Sequence, residues 1–146
     1  MKSYEAAREH ADLDSEVERL RAQVRLSWNE ESRALQAFGL RDGMSIVDLG
    51  SGAGFALARL LESHPSSRIT GVELDSALHA LAQASLEASP RLALLNRSAL
   101  DTGLPDDTVD FVIARFLYQH LADPISAAKE AHRILKPGGR LVVIDV

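Results

Sequence analysis

The sequence has no cysteine, which excludes disulfide staples and thiolate metal sites and is compatible with a reducing compartment. It also lacks any apolar run near the roughly 20 residues that a membrane span requires. The N-terminal "MKSYEAAREH" is too polar for a secretory leader, so a cytoplasmic address is expected. Basic residues are outnumbered: 16 Lys and Arg stand against 21 Asp and Glu, for a net charge of −5. That balance gives no electrostatic footprint for nucleic acid and points instead to a small-molecule or protein partner. Neither internal repeats nor low-complexity segments are present. What remains is a chain of 146 residues, 46% hydrophobic, long enough to bury one core and too short for two.

Residues 1–14 have little apolar content and read as a flexible N-terminal tail. From Ser15, with Glu18 three positions on in the capping-box spacing, Val17, Leu20, Val24 and Trp28 recur at helical intervals. A helix over 15–38 is therefore expected to open a single core spanning 15–146. Beyond Gly39 and Gly43 the elements alternate. "IVDL" reads as a strand, "FALARLLESH" as a helix stopped by Pro65, "RITGVEL" as a strand and "SALHALAQASLEA" as a helix stopped by Pro90. "RLALLN" and "VDFVIA" are two further strands. Asp123 and Pro124 form an N-cap and first-turn proline for "ISAAKEAHRIL". "KPGG" then ends that helix as a structural turn, and "RLVVIDV" is a fifth strand. Alternation of this length predicts an α/β fold, a doubly wound and mostly parallel sheet with helices on both faces. Ligands of such sheets bind beyond the carboxyl ends of the strands, where strand order reverses.

"GSGAGF" occupies the first strand-to-helix turn. Glycines there let a ligand approach the main chain and permit unusual φ and ψ values. Glu73 ends the second strand 19 positions after Gly54, where a carboxylate can hold both hydroxyls of a ribose; Asp75 competes for that role with a role as helix N-cap. The spacing G-x-G-x-G departs from the G-x-G-x-x-G of dinucleotide sites, which weakens a reading as a nicotinamide-dependent dehydrogenase. Asp48, two residues before the first glycine, is a poor neighbour for a pyrophosphate and a good one for an ammonium group. A ligand with a ribose, an adenine and a cationic amino-acid tail fits this pattern.

"VDLGSGAGF", "GVELD", "LPDDTVDFVIARFLYQHLADP" and "ILKPGGRLVV" resemble, in order and spacing, the successive motifs of class I S-adenosylmethionine-dependent methyltransferases. The resemblance covers about Ile46 to Val146 and implies a Rossmann-like methyltransferase core. It implies S-adenosyl-L-methionine as cofactor and S-adenosyl-L-homocysteine as product. Carried over residue by residue, it implies that Asp48, Gly50, Ser51, Gly52 and Gly54 line the methionine end, that Glu73 holds the ribose and that Leu74 packs on the adenine. Where the family usually has an acid at the adenine amino group, this chain has Ser98, followed by Ala99; Asp101 stands close enough to substitute. Arg115, with Ala114, is implied near the methionine part; its alternative role is as the salt-bridge partner of a neighbouring acid.

Phe116, Tyr118 and His120 follow the fourth strand, where the resemblance puts the mouth of the transfer site. A general base is optional for methyl transfer, and His120 is the candidate. His10, His64, His79 and His132 share no ligand spacing and read as solvated, so no metal is expected. Trp28 lies on the apolar stripe of the first helix, which suits core packing and leaves open a second role as cover over the cofactor. The chain ends within the fifth strand, short of the further helix and strands of the family, so a truncated sheet with an open edge is expected, which fits an excised fragment, a domain completed by another polypeptide or a self-associating short form. Such an edge is available to a second copy or to another chain. Two functions follow: methyl transfer to a small-molecule acceptor, or a cofactor-binding or interaction module without an acceptor site of its own.

Overall fold

The computed structural model describes residues 2–146, with side chains from Ala11 onward; Met1 and the side chain of His10 lie outside the described residues. Strands rich in Ile, Val and Leu need both faces covered, and parallel pairing with helical crossovers supplies that cover. The order along the chain is α1 (Lys2–Ala37), β1 (Ser45–Leu49), α2 (Phe55–Ser63), β2 (Arg68–Val72), α3 (Ser76–Ser85), β3 (Leu92–Leu95), β4 (Val109–Arg115), a 3₁₀ turn (Tyr118–His120), α4 (Pro124–Ile134) and β5 (Leu135–Ile144). All pairings are parallel, in the order β3-β2-β1-β4-β5. The chain builds outward from β1 to β3 and then crosses back to β4 on the other side of β1. The reversal therefore falls between β1 and β4.

Alternate residues of the central strands feed two apolar layers, as the period of two requires. Ile46, Phe111 and Ile113 join Trp28 and Leu35 of α1 and Leu57 and Leu60 of α2 in one layer. Val47, Leu49, Val112 and Ala114 join Ala131 and Ile134 of α4 in the other. Aspartates cap two helices: Asp75 accepts from the Ala77 and Leu78 amides of α3, and Asp123 from the Ser126 amide of α4, with Pro124 in its first turn.

Three boundaries differ from expectation. The first helix does not begin at Ser15 but runs from Lys2, so the stretch read as a tail forms its opening turns from that residue on. Residues 2–14 contain no Gly or Pro and are rich in Ala, Glu and Arg, so nothing in them breaks a helix that continues upstream. The third helix stops at Ser85, five residues ahead of Pro90. "KPGG" lies inside β5 as a protrusion: Asp110 alone stands opposite Lys136–Gly139 between the pairs Val109/Leu135 and Phe111/Arg140. Gly138 takes a left-handed φ of 82° there, and a Cβ at Gly139 would strike Leu135 and two carbonyl oxygens.

At the amino-terminal ends of the strands, polar side chains tie neighbours together. Asp110 accepts from the Ser45 amide of β1 and pairs with Lys136 of β5. Asp42 accepts from the Gly43 and Ser66 amides. The Arg91 guanidinium donates to the carbonyls of Leu61, His64 and Ser67. His64 is buried at 6% exposure, not solvated, and its ring lies against Ser63 Oγ at 2.8 Å. No described helix is long and apolar enough to cross a membrane.

The loop between β3 and β4 is held to α4 by buried Glu130. Its carboxylate accepts from both the amide and the hydroxyl of Thr102, at 2.7 and 2.8 Å, and from Arg133, which also reaches Asp106. Arg133, opposed by burial and aided by Thr102, holds the Glu130 pKa down to about 2. A carboxylate with a depressed folded-state pKa contributes stability above its unfolded value of 4.5 and loses it as the pH falls toward 2. Glu130→Gln is therefore expected to cost about 2 kcal/mol at neutral pH by urea denaturation. It should also flatten the acid limb of stability between those two values; an unchanged acid limb would contradict the assignment.

Candidate active site

Among the described residues, three buried side-chain atoms have no hydrogen-bond partner: Asp48 Oδ1, Arg115 Nη2 and the Tyr118 hydroxyl. All belong to the carboxyl ends of β1 and β4 or the turn that follows, on either side of the reversal in strand order. Buried polar groups are nearly always satisfied, and exceptions concentrate where a ligand completes them. Asp48 is 2% exposed. Burial pushes its pKa up to about 7; the Arg115 charge opposes the rise, and Glu73 and Glu31 add to it.

Gly50, Gly52 and Gly54 all take left-handed φ values of 70°, 58° and 91°, the region that favours glycine. Their surroundings differ. A Cβ at Gly52 would meet only Leu20, at 3.7 Å, whereas one at Gly54 would strike Leu86 at 2.9 Å. Gly52 thus faces the crevice, Gly50 lies close under Leu117, which a Cβ would meet at 3.1 Å, and Gly54 admits the packing of α3. Ser51 is buried against Gly71 of β2. The Glu73 carboxylate bridges the turn and its own strand end, accepting from the Gly52 amide at 2.8 Å and the Asp75 amide at 2.9 Å.

Arg115 ends β4. Its Nε donates to Glu31 Oε2 at 2.6 Å in a pair exposed by only 9% and 7%, and its guanidinium carbon lies 5.8 Å from the Trp28 ring and 5.5 Å from the Phe116 ring. Phe116 has a φ of 53°, rare for a residue with a side chain. Beyond it, His120 is exposed, and its Nε2 lies 3.1 Å from Gln119 Nε2.

These groups surround a crevice of about 210 Å³ lined by Gly50, Gly52, Glu73, Arg115, Phe116 and His120. Glu16, Arg19, Leu20 and Gln23 of α1 form its outer wall, so the first helix covers the turn. Ligand pockets usually measure roughly 300–1,000 Å³, so with α1 in this position the crevice is smaller than most. A wider depression of about 650 Å³, lined in part by Arg33, Arg41, Asp42 and His64, lies at the opposite ends of the strands, and no unpartnered buried atom faces it.

Of the residues marked in the sequence, the structure brings Asp48, Gly50, Gly52, Glu73 and Arg115 together, with His120 at the rim. Leu74 stands beside Glu73 at 68% exposure. Ser98 and Ala99 are in the loop after β3, off the crevice: the Ser98 hydroxyl accepts from the Leu100 amide, and Ala99 is buried in the second apolar layer. Asp101 pairs with Arg97, and Asp75 serves as the N-cap of α3. Sequence reasoning left room for α1 as a cover over the site but missed Glu31 and the wall residues Glu16, Arg19, Leu20 and Gln23. Glu31 did leave a signal, a carboxylate in register with Val24, Trp28 and Leu35 on the helix stripe.

Comparison with known proteins agrees with this geometry. Residues 47–143 match the family described as "Methyltransferase domain". A demethylmenaquinone methyltransferase of Thermus thermophilus is 34% identical over 101 residues, covering 68% of this chain and 46% of that protein. The crystal structure of a SAM-dependent methyltransferase from Aquifex aeolicus superposes with a TM-score of 0.80 at 28% identity, over 90% of this chain and 71% of the other. Phosphoethanolamine N-methyltransferase 2 of Haemonchus contortus, bound to S-adenosylhomocysteine, superposes with a TM-score of 0.72 at 25% identity, over 80% and 28% of the two chains. The chain spans between a third and about half of the length of the first curated relatives it matches. S-adenosylmethionine is the cofactor of these structural relatives, and the donors and acceptors left unpaired at the strand ends are of the kinds its tail requires. On fold, site chemistry and sequence together, this chain belongs to the S-adenosylmethionine-dependent methyltransferase-domain family.

Proposed function

We propose that this chain is the cofactor-binding core of an enzyme that transfers a methyl group from S-adenosylmethionine to a small-molecule acceptor. The observation that carries this reading is the set of unpaired buried atoms beside the glycine turn. Asp48 offers a carboxylate oxygen to the ammonium of the tail, and Arg115 Nη2 offers a donor to its carboxylate. Glu73 is one strand away, in position to exchange its amide partners for ribose hydroxyls. Leu74 presents apolar surface to the adenine. Ser51, Gly54, Ser98 and Ala99 act less directly on this reading, shaping the turn and the loop around the base.

When bound, the cofactor supplies an electrophilic methyl group to a nucleophile approaching in line. The chain's part is alignment and exclusion of water, worth roughly 7–11 kcal/mol where geometry is held. α1 supplies the exclusion by covering the crevice. His120, at the rim, is placed to take a proton from an acceptor hydroxyl. The second reading is a cofactor-binding or interaction module without an acceptor site of its own; among the described residues the outer side of β5 has no neighbouring strand, and Val143 there is 40% exposed.

Calorimetric titration with S-adenosylmethionine and transfer of labelled methyl to a panel of small acceptors test both readings. Saturable binding with transfer supports the enzyme, binding without transfer supports the module, and no binding defeats both. Glu73→Lys should abolish binding; retained micromolar affinity would refute the ribose assignment. Affinity of the unaltered protein should rise as the pH passes upward through about 7, because Asp48 then ionises to meet the ammonium. A carboxyl group whose folded-state pKa lies above its unfolded value of 3.8 costs stability as the pH climbs from about 4 to 7. Asp48→Asn is therefore expected to stabilise the free protein at pH 8 by about 1–2 kcal/mol while weakening cofactor binding at least about tenfold. Loss of both stability and binding would count against the role given to this acid.

A further inference from the structure

α1 presents Val24, Trp28 and Leu35 to the core, and Glu31 falls on the same stripe, 7% exposed. A buried carboxylate on such a stripe is costly unless paired, and its partner is Arg115 of β4. Three contacts fix that guanidinium: the Glu31 carboxylate at Nε, the Trp28 ring and the Phe116 ring. An arginine has five N–H donors in a rigid fork, so fixing one edge fixes the direction of the others. Yet Nη2 is left buried with no acceptor. A pair kept for stability alone would not hold one of its strongest donors unsatisfied, since that omission is itself destabilising.

We infer that Glu31 and Trp28 are positioning residues: from the first helix they aim Arg115 Nη2 at the carboxylate of the cofactor's amino-acid tail. This inference rests on the cofactor reading above and adds to it the element that aims the carboxylate contact, and the residues that do so. α1 is then part of the recognition apparatus as well as a cover. Arg19, the other cation on the crevice wall, is already engaged with Glu16 at 2.6 Å. The arrangement predicts discrimination between two ligands that share the adenosine, the sulfonium and the ammonium and differ only in the carboxylate: S-adenosylmethionine and its decarboxylated form.

Calorimetry with both ligands on the whole chain tests this. The unaltered protein should bind S-adenosylmethionine about tenfold or more tightly than the decarboxylated form. Glu31→Gln should weaken S-adenosylmethionine about tenfold and leave the decarboxylated ligand within about twofold. In an Arg115→Met background the Glu31 substitution should have no further effect on either ligand, the coupling expected of residues that act through one another. Trp28→Leu, which leaves no charge unpaired, should give a smaller loss confined to the carboxylated ligand and keeps the test available if Glu31→Gln melts too readily. Equal weakening of both ligands would reduce Glu31 to a structural role and overturn the inference. A preference for the carboxylate that Arg19→Gln abolishes, with Glu31→Gln retaining it, would overturn it in favour of Arg19. Failure of the unaltered protein to bind either ligand would defeat the cofactor reading itself, and the inference with it.

Discussion

An acid sealed inside the end of β1, with one oxygen facing no donor, is the constraint around which the functional end of this molecule is arranged. Asp48 is almost wholly buried, and that burial is the chief cause that brings its pKa to about 7. Nothing in the packing of the core needs a carboxyl group there; a valine of similar bulk would avoid the desolvation. The cationic Arg115 moderates the field at this point, while Glu73 and Glu31 work against it. The crevice therefore combines an excess of acidic groups with one fixed guanidinium, a charge pattern that matches a zwitterionic tail next to a sulfonium.

Most of the architecture could be read from the chain. Apolar runs such as Ile46–Leu49 and Val109–Ala114 announced strands buried on both faces, and the turn residues between them set the crossovers. The identity of Asp48, Glu73 and Arg115 as neighbours also followed, because parallel βαβ units bring successive strand ends to one rim. Boundaries were less legible. Ser15 and Glu18 have the spacing of a capping box, yet they lie within a helix that already runs; a cap signal marks a start only when the residues before it cannot be helical. Likewise "KPGG" has the composition of a loop, and the ladder resumes around it.

Individual side-chain roles were the hardest to foresee because they depend on distances across the fold. The three glycines of the turn look alike in sequence, and only the side chains that approach them, Leu117 at Gly50, Leu20 at Gly52 and Leu86 at Gly54, separate their roles. Ser98 sits at the expected place in sequence, but its hydroxyl is directed into its own loop. Glu31 and Arg115 are 84 positions apart, and no local pattern links them. A charged residue in phase with a buried stripe was the one available clue that α1 carries more than packing.

The two ends of the sheet have been built to different standards of closure. At the amino-terminal pole Asp110 draws β1, β4 and β5 together, Asp42 fastens the entry of β1 to that of β2, and Arg91 gathers the carbonyls leading out of α2. Every one of those carboxylates and guanidiniums has found its complement within the chain. The far pole is tied as well, by Glu73 across the glycine turn and by Glu31 at Arg115, but there Asp48 Oδ1, Arg115 Nη2 and the Tyr118 hydroxyl keep no partner. The sheet is thus closed upon itself at one pole and at the other holds out three polar atoms whose complement the described residues do not supply.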